Sequence, residues 1–315
     1  MLYRILLVDD DQLVLQALRR ELLSPPNIGH DGLEIEAFSE PGSAIERARE
    51  RDGYFDVIIT DYRMHGLDGI ALLGQLRSIQ PDATRILLTS HAEIEVVQRA
   101  INEAKADYVI RKPWSEYDLK AHIALALHQR DLVLGNRQMT QVLGEGRGPA
   151  SSARREAYRL MLVDDEPGIL RSLERELSMG GAATTGRNPL FTISSFSSPE
   201  AALASVVTQP PDIVIADYQM PGTDGVRFLL GVKQKQPNAV RILLSGRATV
   251  NVLMDAVNVA GVYHFLGKPW EPDELRAVIG DALKYYDLLV ENNLLTAAGG
   301  GAGVAGTGTD KKGQQ

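Results

Sequence analysis

Four short stretches occur twice in this chain, in the same order, so whatever it folds into must be built from two like units. The first set reads LLVDDD at Leu6–Asp11, TDYRMHGLDG at Thr60–Gly69, RILLTS at Arg85–Ser90 and RKPW at Arg111–Trp114. The second reads MLVDDE at Met161–Glu166, ADYQMPGTDG at Ala216–Gly225, RILLSG at Arg241–Gly246 and GKPW at Gly267–Trp270. Val8 pairs with Val163 and Leu22 with Leu177, both 155 residues apart, whereas Asp61 and Asp217, like Lys112 and Lys268, are 156 apart. Pro41 and Pro199 lie 158 apart, so the length changes fall in connections, where insertions disturb no core. Each set brings carboxylates, a hydroxyl and an ammonium to the ends of four apolar runs. Those groups suit a hard cation and a phosphoryl group.

Within each unit, short apolar runs alternate with helical patterns. Ile5–Val8, Ile35–Phe38, Val57–Thr60, Ile86–Thr89 and Tyr108–Ile110 predict five strands, and the central ones are continuously apolar, as strands buried on both faces require. Leu15, Leu18 and Leu22 recur at helical spacing after the first strand, as do Leu170, Leu173 and Leu177 in the second unit. Strand–helix alternation predicts an α/β fold of two tandem doubly wound, flavodoxin-like domains, each a five-stranded parallel sheet. Ligands in such sheets bind beyond the carboxyl ends of the strands. Asp9, Asp10, Asp61 and Thr89 fall there, and so do Asp164, Asp165, Asp217 and Ser245.

The expected organisation is a first domain over 1–134, a flexible Gly-, Ser- and Arg-rich linker over 135–157, and a second domain over 158–295 that ends in an extended helix. A Gly/Ala-rich tail over 296–315 is expected to be disordered. The chain has no cysteine, no apolar run near the roughly 20 residues of a membrane helix, and no secretory signal pattern. A cytoplasmic protein without a membrane partner is expected. A net charge of -8 leads to the further expectation that nucleic acid is not a partner.

With all four motifs present twice and in order, both halves resemble receiver domains of two-component response regulators. The resemblance covers nearly everything but the linker and tail. It implies that Asp61 and Asp217 are phosphoacceptors. It also implies that Mg2+ is held by Asp9, Asp10, Asp61 and the backbone carbonyl of Arg63 in the first half, and by Asp164, Asp165, Asp217 and that of Gln219 in the second. Thr89 and Ser245 would donate to the phosphoryl oxygens, Lys112 and Lys268 would offset their charge, and both Lys–Pro bonds would be cis. Asp11 and Glu166 are read as acids that begin a helix. Expected partners are a sensor histidine kinase or phosphotransfer protein and a downstream protein, with the extended helix as a contact or homodimer seam. The output surface would be the fourth helix, fifth strand and fifth helix, and catalysis would be confined to the chain's own aspartyl phosphorylation and dephosphorylation.

Two positions depart from the family pattern. His65 stands where the second half has Pro221, which predicts a looser loop. Val109 stands where the second half has Phe265, so an aromatic switch is expected at Phe265 alone. Two other functions compete: a dehalogenase-like phosphatase, whose nucleophile would sit in a D-x-D motif on the first strand and would leave the aspartate at the third strand, Asp61 or Asp217, unexplained, and a scaffold indifferent to phosphate.

Overall fold

The computed structural model describes residues 2–25, 32–90, 92–117, 119–127, 157–179 and 191–299. In the first half β1 (Tyr3–Val8), β2 (Leu33–Phe38), β3 (Val57–Asp61), β4 (Thr84–Thr89) and β5 (Tyr108–Arg111) alternate with α1 (Gln12–Leu23), α2 (Pro41–Arg49), α3 (Gly69–Ile79) and α4 (Ile94–Asn102). A helix over 119–127, α5, closes the unit. The second half repeats this with β6 (Tyr158–Val163), α6 (Pro167–Met179), β7 (Phe191–Phe196), α7 (Pro199–Ser205), β8 (Ile213–Asp217), α8 (Gly225–Lys235), β9 (Val240–Ser245), α9 (Val250–Asn258), β10 (His264–Gly267) and α10 (Pro272–Gly299).

Each half forms a five-stranded, all-parallel sheet, ordered β2-β1-β3-β4-β5 and β7-β6-β8-β9-β10. Helices cover both faces, so β3 and β8 are buried along their whole length. Leu15, Leu18 and Leu22 of α1 pack under one face, and Leu170, Leu173 and Leu177 of α6 do the same in the second half. Register fixes the chemistry at one end. Val8 stands beside Thr60, Asp61 beside Leu88, and Thr89 beside Arg111, so the residues that follow or finish these strands converge on the carboxyl edge.

The halves share a core. α4 packs on α9 and on β10, and α9 packs on β5. Buried Val97, Ala100 and Ile101 of α4 belong to the same apolar cluster as Leu253, Ala256 and Val257 of α9. The face expected to serve as an output surface, α4 with β5, is therefore covered by its counterpart in the other half. The C-terminal helix runs to Gly299, four residues into the stretch expected to be disordered. The expected linker, apart from Ala157, and the tail beyond Gly299 lie outside the described residues. Among the described residues, no helix is long and apolar enough to cross a membrane.

Candidate functional site

In each half one lysine bridges two aspartates. Lys112 Nζ lies 2.6 Å from Asp9 Oδ2 and 2.5 Å from Asp61 Oδ1. Lys268 Nζ lies 2.6 Å from both Asp164 Oδ2 and Asp217 Oδ1. Adjacent parallel strands deliver the two acids, and the turn after the fifth strand delivers the lysine. The Lys112–Pro113 and Lys268–Pro269 bonds are both cis. Backbone N–H groups finish the setting: Arg63 donates to Asp61 Oδ2 at 2.7 Å, and Gln219 to Asp217 Oδ2 at 2.8 Å. Asp11 and Glu166 likewise donate from their backbone to Asp9 and Asp164, both at 2.9 Å.

Burial works against these charges. Asp9 and Asp164 are driven above the usual carboxylate range, chiefly by desolvation and in part by the neighbouring Asp61 or Asp217, against the pull of the lysine. Desolvation pushes Lys112 and Lys268 down, but hydrogen bonds to the two acids outweigh it and leave both lysines raised. The lysine is thus held as a fixed cation among more negative charge than it can neutralise.

The two halves differ at the second acid of each pair. Asp164, Asp165 and Asp217 each place a carboxylate oxygen within 4.8 Å of the others, the only such cluster among the described residues. A cleft of about 440 Å³ lined by Asp165, Gln219 and Pro221 opens beside it. An all-oxygen donor set of excess negative charge fits a hard divalent cation. In the first half Asp10 Oδ2 is instead held 2.5 Å from His65 Nδ1 and accepts from His65 N at 3.2 Å. The histidine, expected only to loosen its loop, fastens it to the acid.

Thr89 and Ser245 end the fourth strands and are buried at 1% and 3% exposure. Ser245 Oγ accepts from Arg247 N at 3.1 Å. Phe265 lies two residues below the level of Ser245, opposite Leu243, and is buried in the shared core with Val109. Tyr108 points to the other face, into the cluster with Leu119 and Ile123. Asp11 caps α1 by accepting from Leu13 N at 2.8 Å, as a helix-starting acid should.

Fold and site together define a doubly wound α/β unit with a lysine-bridged acidic pocket at the strand ends, present twice. The chain belongs to the response regulator receiver domain family, whose pattern matches residues 5–124 and 160–280. Two receiver domains in one chain point to phosphorylation-dependent response regulation. Among curated relatives it is similar to the hydrogenase transcriptional regulatory protein HoxA of Cupriavidus necator, 33% identical over 41% of this chain and 25% of that protein. The DNA-binding transcriptional regulator NtrC of Klebsiella pneumoniae is 30% identical over 40% of this chain and 24% of its own length. Of solved structures, the signal receiver domain of an HD domain-containing protein from Pseudomonas fluorescens is 27% identical over 42% of this chain and 98% of that one, with a TM-score of 0.37. The chain spans about a quarter of the length of these curated relatives.

These relatives correct one expectation. They are DNA-binding or transcriptional regulators, so the exclusion of nucleic acid does not stand. The net charge of -8 averages over the whole sequence, and a regulator's DNA contact is set by the local charge of one surface.

Proposed function

We propose that each half accepts a phosphoryl group on the aspartate ending its third strand, Asp61 and Asp217, from the phosphohistidine of a sensor kinase or phosphotransfer protein. The observation that carries this reading is the lysine bridging two acids at the end of adjacent strands, built identically twice. A carboxylate oxygen of Asp61 or Asp217 would attack phosphorus, the N–P bond would break, and the histidine nitrogen would leave with the electron pair. The product is an acyl phosphate, which water later hydrolyses at phosphorus.

Lys112 and Lys268 would offset charge on the transferring oxygens, and Thr89 and Ser245 would donate their hydroxyls to them. Asp9, Asp10 and Asp61, with Asp164, Asp165 and Asp217, would hold Mg2+, joined by the carbonyls of Arg63 and Gln219. Bound there, the ion would neutralise phosphoryl charge and orient the incoming group. The chain would act in the cytoplasm, and the names of its relatives favour transcription as the process it serves.

The test is incubation with acetyl phosphate and Mg2+ followed by mass spectrometry of the intact chain. Two phosphoryl additions are expected in the wild type and one each in Asp61→Asn and Asp217→Asn. No addition in the wild type, or two in either variant, would refute the assignment.

A further inference from the structure

The outermost strands β5 and β10 should each leave a row of unpaired backbone groups, the usual liability of a sheet edge. Here each edge is met by a side-chain amide from the other half. Asn102, the last residue of α4, donates Nδ2 to Phe265 O at 2.8 Å and accepts from Phe265 N at 2.9 Å. Asn258, the last residue of α9, donates Nδ2 to Val109 O at 2.8 Å and accepts from Val109 N at 2.9 Å. Both asparagines, and both clasped residues, stand 156 positions apart, so the contact is self-complementary in the way of a two-fold pair. Each amide supplies one donor and one acceptor to one strand residue, as a further β-strand would.

The clasp joins the two candidate sites. α4 starts five residues after the Thr89 hydroxyl and ends at Asn102, which grips Phe265, three residues before Lys268. The reciprocal path runs from Ser245 through α9 and Asn258 to Val109, three residues before Lys112. Each path crosses a rigid helix packed in the shared core, where interiors transmit displacement rather than absorb it.

We propose that the α4–β5 face of each receiver is a mating surface for the other half of the same chain, and that the asparagine clasps couple the two acidic sites energetically. Phosphoryl occupancy at one site then alters the other half directly, and linkage makes the effect mutual. This rests on the phosphoacceptor reading above.

The test uses the full chain carrying Asp217→Asn, so that only the first site takes beryllofluoride, a phosphoryl mimic, in the presence of Mg2+. Hydrogen exchange is followed peptide by peptide with and without the mimic. Exchange around Phe265 is expected to change by about fivefold or more, and the change is expected to vanish when Asn102→Ala is added. Peptides containing Asp61 and Thr89 report binding itself. If they respond while 262–268 does not, coupling is overturned and the phosphoacceptor reading survives. If neither responds, the phosphoacceptor reading falls and coupling falls with it. Asn102→Asp, which keeps acceptance from Phe265 N but loses donation to its carbonyl, serves should the alanine variant fail to fold. An undiminished response in a folded clasp variant would also refute the proposal.

Discussion

At the scale of single residues, the two sites are not copies of equal strength. Asp165 lies free to join Asp164 and Asp217 around a cation, whereas Asp10 is engaged by the ring and backbone of His65. A cation at the first site must compete with that contact, so the first site is expected to bind Mg2+ more weakly. Because the His65 ring is fully exposed, solvent screens the competition and the difference is modest. His65→Pro, which restores the residue of the second half, is expected to raise first-site affinity about threefold, the scale of an exposed ion pair. Calorimetric titration of the wild type and His65→Pro with Mg2+ checks this, and superimposable isotherms would sink it. Lys112 poses the opposite case. Replacing it with methionine leaves Asp9 and Asp61 facing each other while largely buried, and loss of one partner from a buried pair costs about 3 kcal/mol or more. Thermal denaturation of Lys112→Met is expected to show that loss without Mg2+ and a smaller one with it. The site acids and lysines could be read from the motifs. The grip of His65 on Asp10 could not, because sequence gives the identity of a loop residue and not the direction of its ring.

Among the elements, the strands and helices carry their own signals. Continuous apolar runs of only three to six residues, set between helical patterns, marked strands covered on both faces, and the leucine stripes of α1 and α6 named the helices that cover them. The missed element is the end of α10. An irregular Thr296–Gly299 follows only if glycine and alanine are taken as one class. Alanine is the best helix former and glycine among the worst, so the alanines extend the helix to Gly299. A second local requirement lies where the site loop re-enters a helix. A Cβ on Gly69 would come within 2.0 Å of Asp61 O, and one on Gly225 within 2.2 Å of Asp217 O. Asp68 and Asp224 cap these helices from the preceding position, accepting from Ala71 N at 2.7 Å and Arg227 N at 2.8 Å. Loop and strand end are thereby packed backbone to backbone. Gly69→Ala is expected to push the end of β3 away from Lys112, destabilising the fold by about 2 kcal/mol and lowering acetyl phosphate incorporation at Asp61. A Gly69→Ala chain with unchanged denaturation midpoint and unchanged labelling would show that the contact relaxes without consequence.

For the molecule as a whole, what joins the halves was almost illegible in sequence. The repeated asparagine ending α4 and α9 was visible, but nothing in a linear pattern says that an amide will complete the edge strand of a different domain. The seam also brings together ionisable groups from both halves. Lys105, in a left-handed turn with φ 50°, sends Nζ to within 3.1 Å of His264 Nδ1 and 4.1 Å above the Tyr263 ring. His264 Nε2 is buried, with no partner among the described residues. Burial first, and the Lys105 charge second, push His264 down to about 3, with Asp281 offsetting only part of this. The sign follows from proton uptake: between about pH 3 and the unfolded value of 6.5, the unfolded chain binds the proton that the folded chain refuses. Stability supplied by neutral His264 is therefore present above pH 6.5 and drains away as the solution is acidified. At pH 5 the loss amounts to about 2 kcal/mol. Other groups titrate over the same range, so the informative quantity is a difference between chains. His264→Tyr, which installs the residue that the first half carries at Tyr108, removes the titrating ring from the seam. Urea denaturation at pH 5 and pH 8 is expected to show a smaller acid-dependent loss in His264→Tyr than in the wild type, by about that amount. Equal losses in the two chains would mean that protonation of His264 is absorbed without strain, and that the seam between the receivers is indifferent to pH.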